Sequence, residues 1–122
     1  MDERVKEALE REQIIDITTV GRKSGQPRRI EIRLHYLDGR FYLSGTPGRP
    51  RSWYANLRAH PGFVLHLKQN AQADLRARAT PILEPTRRRA LFEAMKSKAA
   101  DQRDVEAWTS GSPLVAVELV DP

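Results

Sequence analysis

The sequence predicts a small, mainly β domain of the α+β class, an antiparallel sheet or small barrel with helices at its edges. Three observations predict it. The chain has 122 residues, enough for one ordinary core, so residues 1–122 are read as a single domain. Ile30, Ile32, Leu34 and Tyr36 alternate with Arg29, Glu31, Arg33 and His35, the period of a strand with one face on a core and the other charged. The other strand-like segments are joined mostly by turn signals, with no repeated strand–helix–strand unit, which argues against a doubly wound parallel sheet. Periodicity alone leaves the open sheet and the closed barrel as alternatives.

The elements follow in chain order. Residues 2–12 read as an amphipathic helix with Val5, Ala8 and Leu9 on one side. Ile14 to Val20 is apolar and β-branched, a strand. Gly21 to Pro27 is a turn, followed by the alternating strand and by the hairpin signal Asp38-Gly39. Phe41 to Gly45 is the return strand, and Thr46 to Arg51 a Pro/Gly loop with two arginines. Ser52 suits the N-cap of a short helix that runs to about Ala59 and is stopped by Pro61. Phe63 to Lys68 and Leu75 to Leu83 read as a hairpin, with regular pairing ended at Pro81. Thr86 to about Ala99 is a helix with Leu91, Phe92 and Met95 at helical spacing. Asp101 to Thr109 is a second short helix or an ordered loop, and Leu114 to Val120 the closing strand.

Composition sets outer limits on function. Hydrophobic residues are 39% and charged residues 30%, the balance of a soluble globular chain. No run approaches the length of a membrane helix, and the charged start MDERVKEALERE has no secretory apolar region, so a cytoplasmic protein is expected. The absence of Cys excludes disulfides, thiolate catalysis and Cys-ligated metals. His35, His60 and His66 lack metal-ligand spacing, and no metal site is expected. No nucleophile–base pair or carboxylate pair stands out, so no catalytic side chain is assigned. Hydride transfer by a bound cofactor needs little from side chains beyond positioning, and remains open.

Charge singles out the middle of the chain. The net charge is +5, yet residues 1–16 carry −3 while residues 21–51 carry +6. Gly21-Arg22-Lys23-Ser24-Gly25-Gln26-Pro27-Arg28-Arg29 combines tight-turning glycines, a hydroxyl and four cations, the parts of a phosphate cradle. It is neither a Walker A loop nor a GxGxxG turn. A Gly-rich hairpin with solvated bases is the plainer alternative. The second stretch, TPGRPRSWYAN, runs from Thr46 to Asn56 and takes a basic loop carrying Arg49 and Arg51 into a helix N-terminus, which attracts anions. Trp53 and Tyr54 fall in its first turn, either as core packing or as walls for a flat ligand. Arg87-Arg88-Arg89 reads as a solvated helix face and Trp108 as a core anchor.

Ile17-Thr18-Thr19-Val20 followed by Gly21 to Arg28, then Leu37-Asp38-Gly39-Arg40, then Ser52 to Pro61, and finally Trp108-Thr109 with the last strand, resemble the deazaflavin-dependent nitroreductase family. The resemblance covers residues 14–120. It implies a six-stranded antiparallel split β-barrel with peripheral helices, the FMN-binding or pyridoxamine-phosphate-oxidase-like fold. It implies coenzyme F-420 as cofactor, a deazaflavin with a phosphate and an oligoglutamate tail. Reduced coenzyme would pass a hydride to a small acceptor: a nitroaromatic, a quinone or an activated alkene. Arg22, Lys23, Ser24 and Arg28 match the positions near phosphate and tail, and the strand through Arg29 and Ile30 would run along the ring. Ser52, Trp53, Tyr54 and Asn56 match the second cofactor-contacting segment.

The chain also departs from the family pattern. Glu31 stands where members often carry Pro, with Arg29 or Arg33 as its expected ion-pair partner. Thr46 stands nearest to a frequent loop Lys, with Arg49 or Arg51 as the compensating cation. The segment Ala99 to Val105 lacks the tyrosines that shape the pocket of a well-known member. Rival readings keep the fold with FMN as cofactor, make the protein a non-enzymatic binder of a cofactor or lipid-like ligand, or, last, a nucleic-acid binder. No nucleic-acid partner and no integral membrane segment are expected, and a homodimer is the default assembly.

Overall fold

The computed structural model describes residues 1–48, 51–99 and 103–120. The elements are α1 (Glu3–Leu9), β1 (Gln13–Val20), β2 (Pro27–Leu37), β3 (Arg40–Ser44), α2 (Ser52–Ala59), β4 (Gly62–Leu67), β5 (Ala73–Pro81), α3 (Pro85–Ala99), α4 (Val105–Gly111) and β6 (Leu114–Leu119). The strands close into an antiparallel barrel in the order β1-β2-β3-β6-β5-β4, and β4 pairs back onto β1 through Asp16 with His66, Ile17 with Leu65 and Thr18 with Val64. Closure leaves the barrel without an open edge between its first and last strands. The open-sheet alternative is thereby removed.

Alternation explains the interior. Ile15 and Ile17 of β1, Leu65 of β4, Leu43 of β3 and Val115 of β6 are fully buried and face one another inside the barrel. The small residues Ala77 and Ala79 of β5 let the wall approach closely there. A second cluster lies outside the barrel wall. Phe92 and Met95 of α3 pack on Tyr42, Ile82 and Leu114, with Trp108 edge-on to Phe92 at 5.7 Å between ring centroids. Trp108 is thus packed against this second cluster, with the Arg103 guanidinium over its ring.

Several expectations are corrected. The first helix is shorter than residues 2–12: it is capped by the Asp2 carboxylate on the Arg4 N–H and ends at Leu9. The helix after the basic loop is capped by the backbone of Arg51, not by the Ser52 hydroxyl; Ser52 is its first helical residue. Strict alternation fails in β2. Ile30 is 36% exposed, whereas Leu34 and His35 are both buried. The cause is a change of partner: β2 pairs with β1 up to Leu34 and with β3 from His35 onward, so both faces are covered at the changeover. Arg88 is also buried, not solvated. Its guanidinium donates to the carbonyls of Ile82, Trp108, Thr109 and Ser112, tying α3 to the end of β5 and to the C-terminal half of α4. Burial pulls its pKa below the ordinary guanidinium value.

Candidate functional site

The turn between β1 and β2 is shaped by its glycines. Gly21 N–H donates to Gln26 O at 2.8 Å and Gly25 N–H to Gly21 O at 2.9 Å. Gly25 has φ +70°, the left-handed region. Gly21 is needed for a different reason: a Cβ there would lie 2.5 Å from Ser24 Oγ. Ser24 Oγ in turn accepts from the Gln26 N–H at 3.1 Å, which leaves its O–H to donate outward.

Asn56 fastens this turn to α2. Its Oδ1 accepts from the Arg22 backbone N–H at 3.0 Å and from Arg22 Nη1 at 3.3 Å, and its Nδ2 donates to Thr19 Oγ1 at 3.1 Å. Asn56 and Thr19 are both buried. The helix and the basic turn are therefore held as one unit, and a cleft of about 370 Å3 opens between them.

Of the residues singled out in the sequence, Arg22, Lys23, Ser24, Arg28, Arg29, Ile30, Ser52, Trp53 and Asn56 line this cleft. The two motifs, separate in sequence, form its two walls. No carboxylate is among the lining residues. Arg29 Nε donates to Asp16 at 3.0 Å, and Arg22 is engaged by Asn56, but no acid among the described residues pairs with Lys23 or Arg28. Ile30 and Trp53 supply apolar surface. Trp53 is only 6% exposed and belongs to the barrel core as well, so packing and cleft wall are one role.

Three of the singled-out residues lie elsewhere. Thr46 is exposed and lines neither this cleft nor the next. Arg51 and Tyr54 face a second cleft on the other side of the first turn of α2, with Leu83, Arg88, Ser112 and Pro113. Arg49 lies outside the described residues. Two lining residues were not singled out as ligands, Thr19 and Gly21. The signal for Thr19 was present: a polar residue at an inward position of β1, in phase with Ile15 and Ile17.

Glu31 is neutralised, though not by Arg29 or Arg33. It points outward and pairs with Lys68, which also holds Asp16 at 2.8 Å. These contacts raise the Lys68 pKa, and the bonds from Lys68 and Arg29 lower that of Asp16. Arg33 instead approaches Glu12 at 3.6 Å. Among the described residues no cluster of three His, Asp or Glu is placed to hold a metal. No helix there is long and apolar enough to cross a membrane.

A family model described as F420H(2)-dependent quinone reductase matches residues 2–119 of this chain. Among solved structures, one titled F420 Reductase is similar with a TM-score of 0.74 and 17% identity, over 98% of this chain and 96% of the other. An F420-H2 dependent reductase is similar at 0.56 and 22%, over 86% and 93%. A FAD-binding protein from Mesorhizobium loti is similar at 0.66 and 13%, over 93% and 86%. At these identities the structural likeness speaks for the split-barrel fold.

Proposed function

The chain belongs to the F420H(2)-dependent quinone reductase family, and from that membership we propose that it binds coenzyme F-420 in the cleft between the 21–26 turn and α2 and reduces a quinone-type acceptor. The observation that carries this reading is the meeting of both motifs on one cleft that, among the described residues, has no acid in its lining and holds two cations with no acidic partner. Lys23, Arg28 and the outward O–H of Ser24 suit a phosphate and its carboxylate tail. The Gly21 backbone leaves room where a side chain would intrude. Ile30 and Trp53 form an apolar wall against which a flat ring excludes water. The Ser52 hydroxyl, released from capping, is a further donor at the helix start.

When bound, the reduced coenzyme supplies a hydride. The chain's part is to orient the coenzyme and to offset its negative charge. Among the described residues the cleft lining contains neither a carboxylate nor a histidine, so the proton that completes reduction would come from solvent or from a lining hydroxyl such as Ser24 or Ser52.

The test is a fluorescence titration with coenzyme F-420, run beside FMN. Tight binding of the deazaflavin in preference to FMN is expected. The double substitution Lys23→Glu with Arg28→Glu should weaken it about a hundredfold or more, since each charge-assisted contact contributes about 1.5–3 kcal/mol. Melting temperature should move by only a few degrees, because both side chains are exposed and unpaired. Unchanged affinity in the double variant, or preference for FMN, overturns the reading.

A further inference from the structure

Barrel closure brings together three polar side chains, none of which lines the cationic cleft. In the alternation of β1, Thr18 falls between the buried Ile17 and Thr19, so it faces the outer wall. His66 of β4 and Asp74 of β5 are direct cross-strand partners. Thr18 reaches them only because β4 pairs back onto β1, with Thr18 opposite Val64 and Asp16 opposite His66. Asp16 does not compete for the imidazole, since Lys68 and Arg29 hold it.

The three groups form a chain. His66 Nδ1 lies 2.7 Å from Asp74 Oδ1, and His66 Nε2 lies 2.7 Å from Thr18 Oγ1. A carboxylate only accepts, so Nδ1 of the neutral ring carries the proton and Nε2 the lone pair. The Thr18 hydroxyl therefore donates to Nε2. Carboxylate, imidazole and hydroxyl in this order activate a nucleophile, and the arrangement is recognised by geometry rather than by sequence position. His66 is 7% exposed, whereas Thr18 is half-buried and lines a groove of about 410 Å3. Val20, Pro27, Phe63, Val64 and Val120 make that groove apolar, and Arg76 brings positive charge to it.

We infer that Thr18 is an acyl-accepting hydroxyl and that the groove beside it is a hydrolytic site for esters of short apolar acids. The Thr18 oxygen attacks the ester carbonyl carbon while its proton passes to His66 Nε2. Negative charge gathers on the carbonyl oxygen, which the positive charge of Arg76 favours. The bond from the carbonyl carbon to the alcohol oxygen breaks, the alcohol leaves with the proton from His66, and the acyl group stays on Thr18. Water, deprotonated by the same nitrogen, then attacks the acyl carbon, releases the acid and restores Thr18. Asp74 orients the ring. Its side chain is 75% exposed, so it offsets the charge of the imidazolium only in part, and turnover is slow.

The test uses cofactor-free protein and does not depend on deazaflavin binding. Release of 4-nitrophenolate from 4-nitrophenyl butyrate is followed, and the protein is then digested to locate the butyryl group by mass spectrometry. A burst of nitrophenolate and a butyrylated Thr18 are expected. Thr18→Val, close in shape, should lower the rate at least about tenfold and leave that peptide unmodified. Thr18→Ser keeps the hydroxyl and should keep the burst, which separates chemistry from folding. His66→Gln should also lower the rate at least about tenfold, and Asp74→Asn severalfold. His60→Gln removes an exposed histidine at the end of α2 and should leave the rate unchanged. Butyryl groups found only on lysines or on His60, or a rate that survives Thr18→Val, overturns the inference and leaves the three groups as a polar staple between strands.

Discussion

Asn56 does the work of two fasteners at the edge of the cationic cleft. One atom of its amide accepts from Arg22 and the other donates to Thr19, with almost no exposure to solvent. Asn56→Leu would leave the Arg22 N–H and the Thr19 hydroxyl unsatisfied in a buried setting. A loss of about 2–4 kcal/mol in urea unfolding is expected, with weaker coenzyme binding as the turn detaches from α2. Asn56→Asp separates those effects. The carboxylate still accepts from Arg22, and the Thr19 hydroxyl can turn to donate to it, so stability should fall by no more than about 1 kcal/mol. Its negative charge stands beside the anion cleft, so affinity for the coenzyme should still drop. Equal loss of stability in both variants would show that the amide's donor role outweighs charge.

At the scale of elements, the 21–26 turn is coupled internally through one contact. Gly21→Ala should destabilise the protein by about 1–2 kcal/mol, because the new Cβ is driven into Ser24 Oγ. Adding Ser24→Ala removes the atom it meets, so the double variant should recover part of the loss. A double-mutant cycle in urea should give a coupling of at least about 0.5 kcal/mol, and strict additivity would place the strain in Gln26 O instead, 3.2 Å from the same Cβ. The strands were largely legible because alternation and β-branching are local signals. The site was legible as two motifs, and their junction was not, because the Asn56–Arg22 contact spans 34 positions. Arg88 was misread for a related reason: its acceptors are backbone carbonyls, which carry no sequence signature. His35 was placed on the charged face because nothing local marks where β2 exchanges β1 for β3.

For the whole molecule, closure by β1 and β4 is a long-range event that periodicity cannot report, and it gathers ionisable groups onto the barrel wall. His66 stands between Thr18 and Asp74, 2.7 Å from each, bridging β1, β4 and β5. His35 bridges the segment before β1 to β3, with Glu12 Oε1 at 3.0 Å and Ser44 Oγ at 3.4 Å. Burial lowers the His35 pKa from 6.5, opposed by its bond to Glu12 and assisted by the charges of Arg103 and Arg33. A histidine whose folded pKa is depressed takes up its proton more readily when unfolded. Stability is therefore complete above about pH 6.5 and is lost as pH falls from 6.5 toward the folded pKa. Asp16 adds a separate loss further down, as pH falls through 3.8, because Lys68 and Arg29 favour its charged form. Urea midpoints measured between pH 7.5 and 3 should thus decline below 6.5, with a slope in the window above pH 5 no steeper than about 1.4 kcal/mol per pH unit for one proton. In His35→Gln the decline in that window should flatten, while the fall near pH 4 persists. An unaltered slope in the variant would overturn the assignment of this transition to His35.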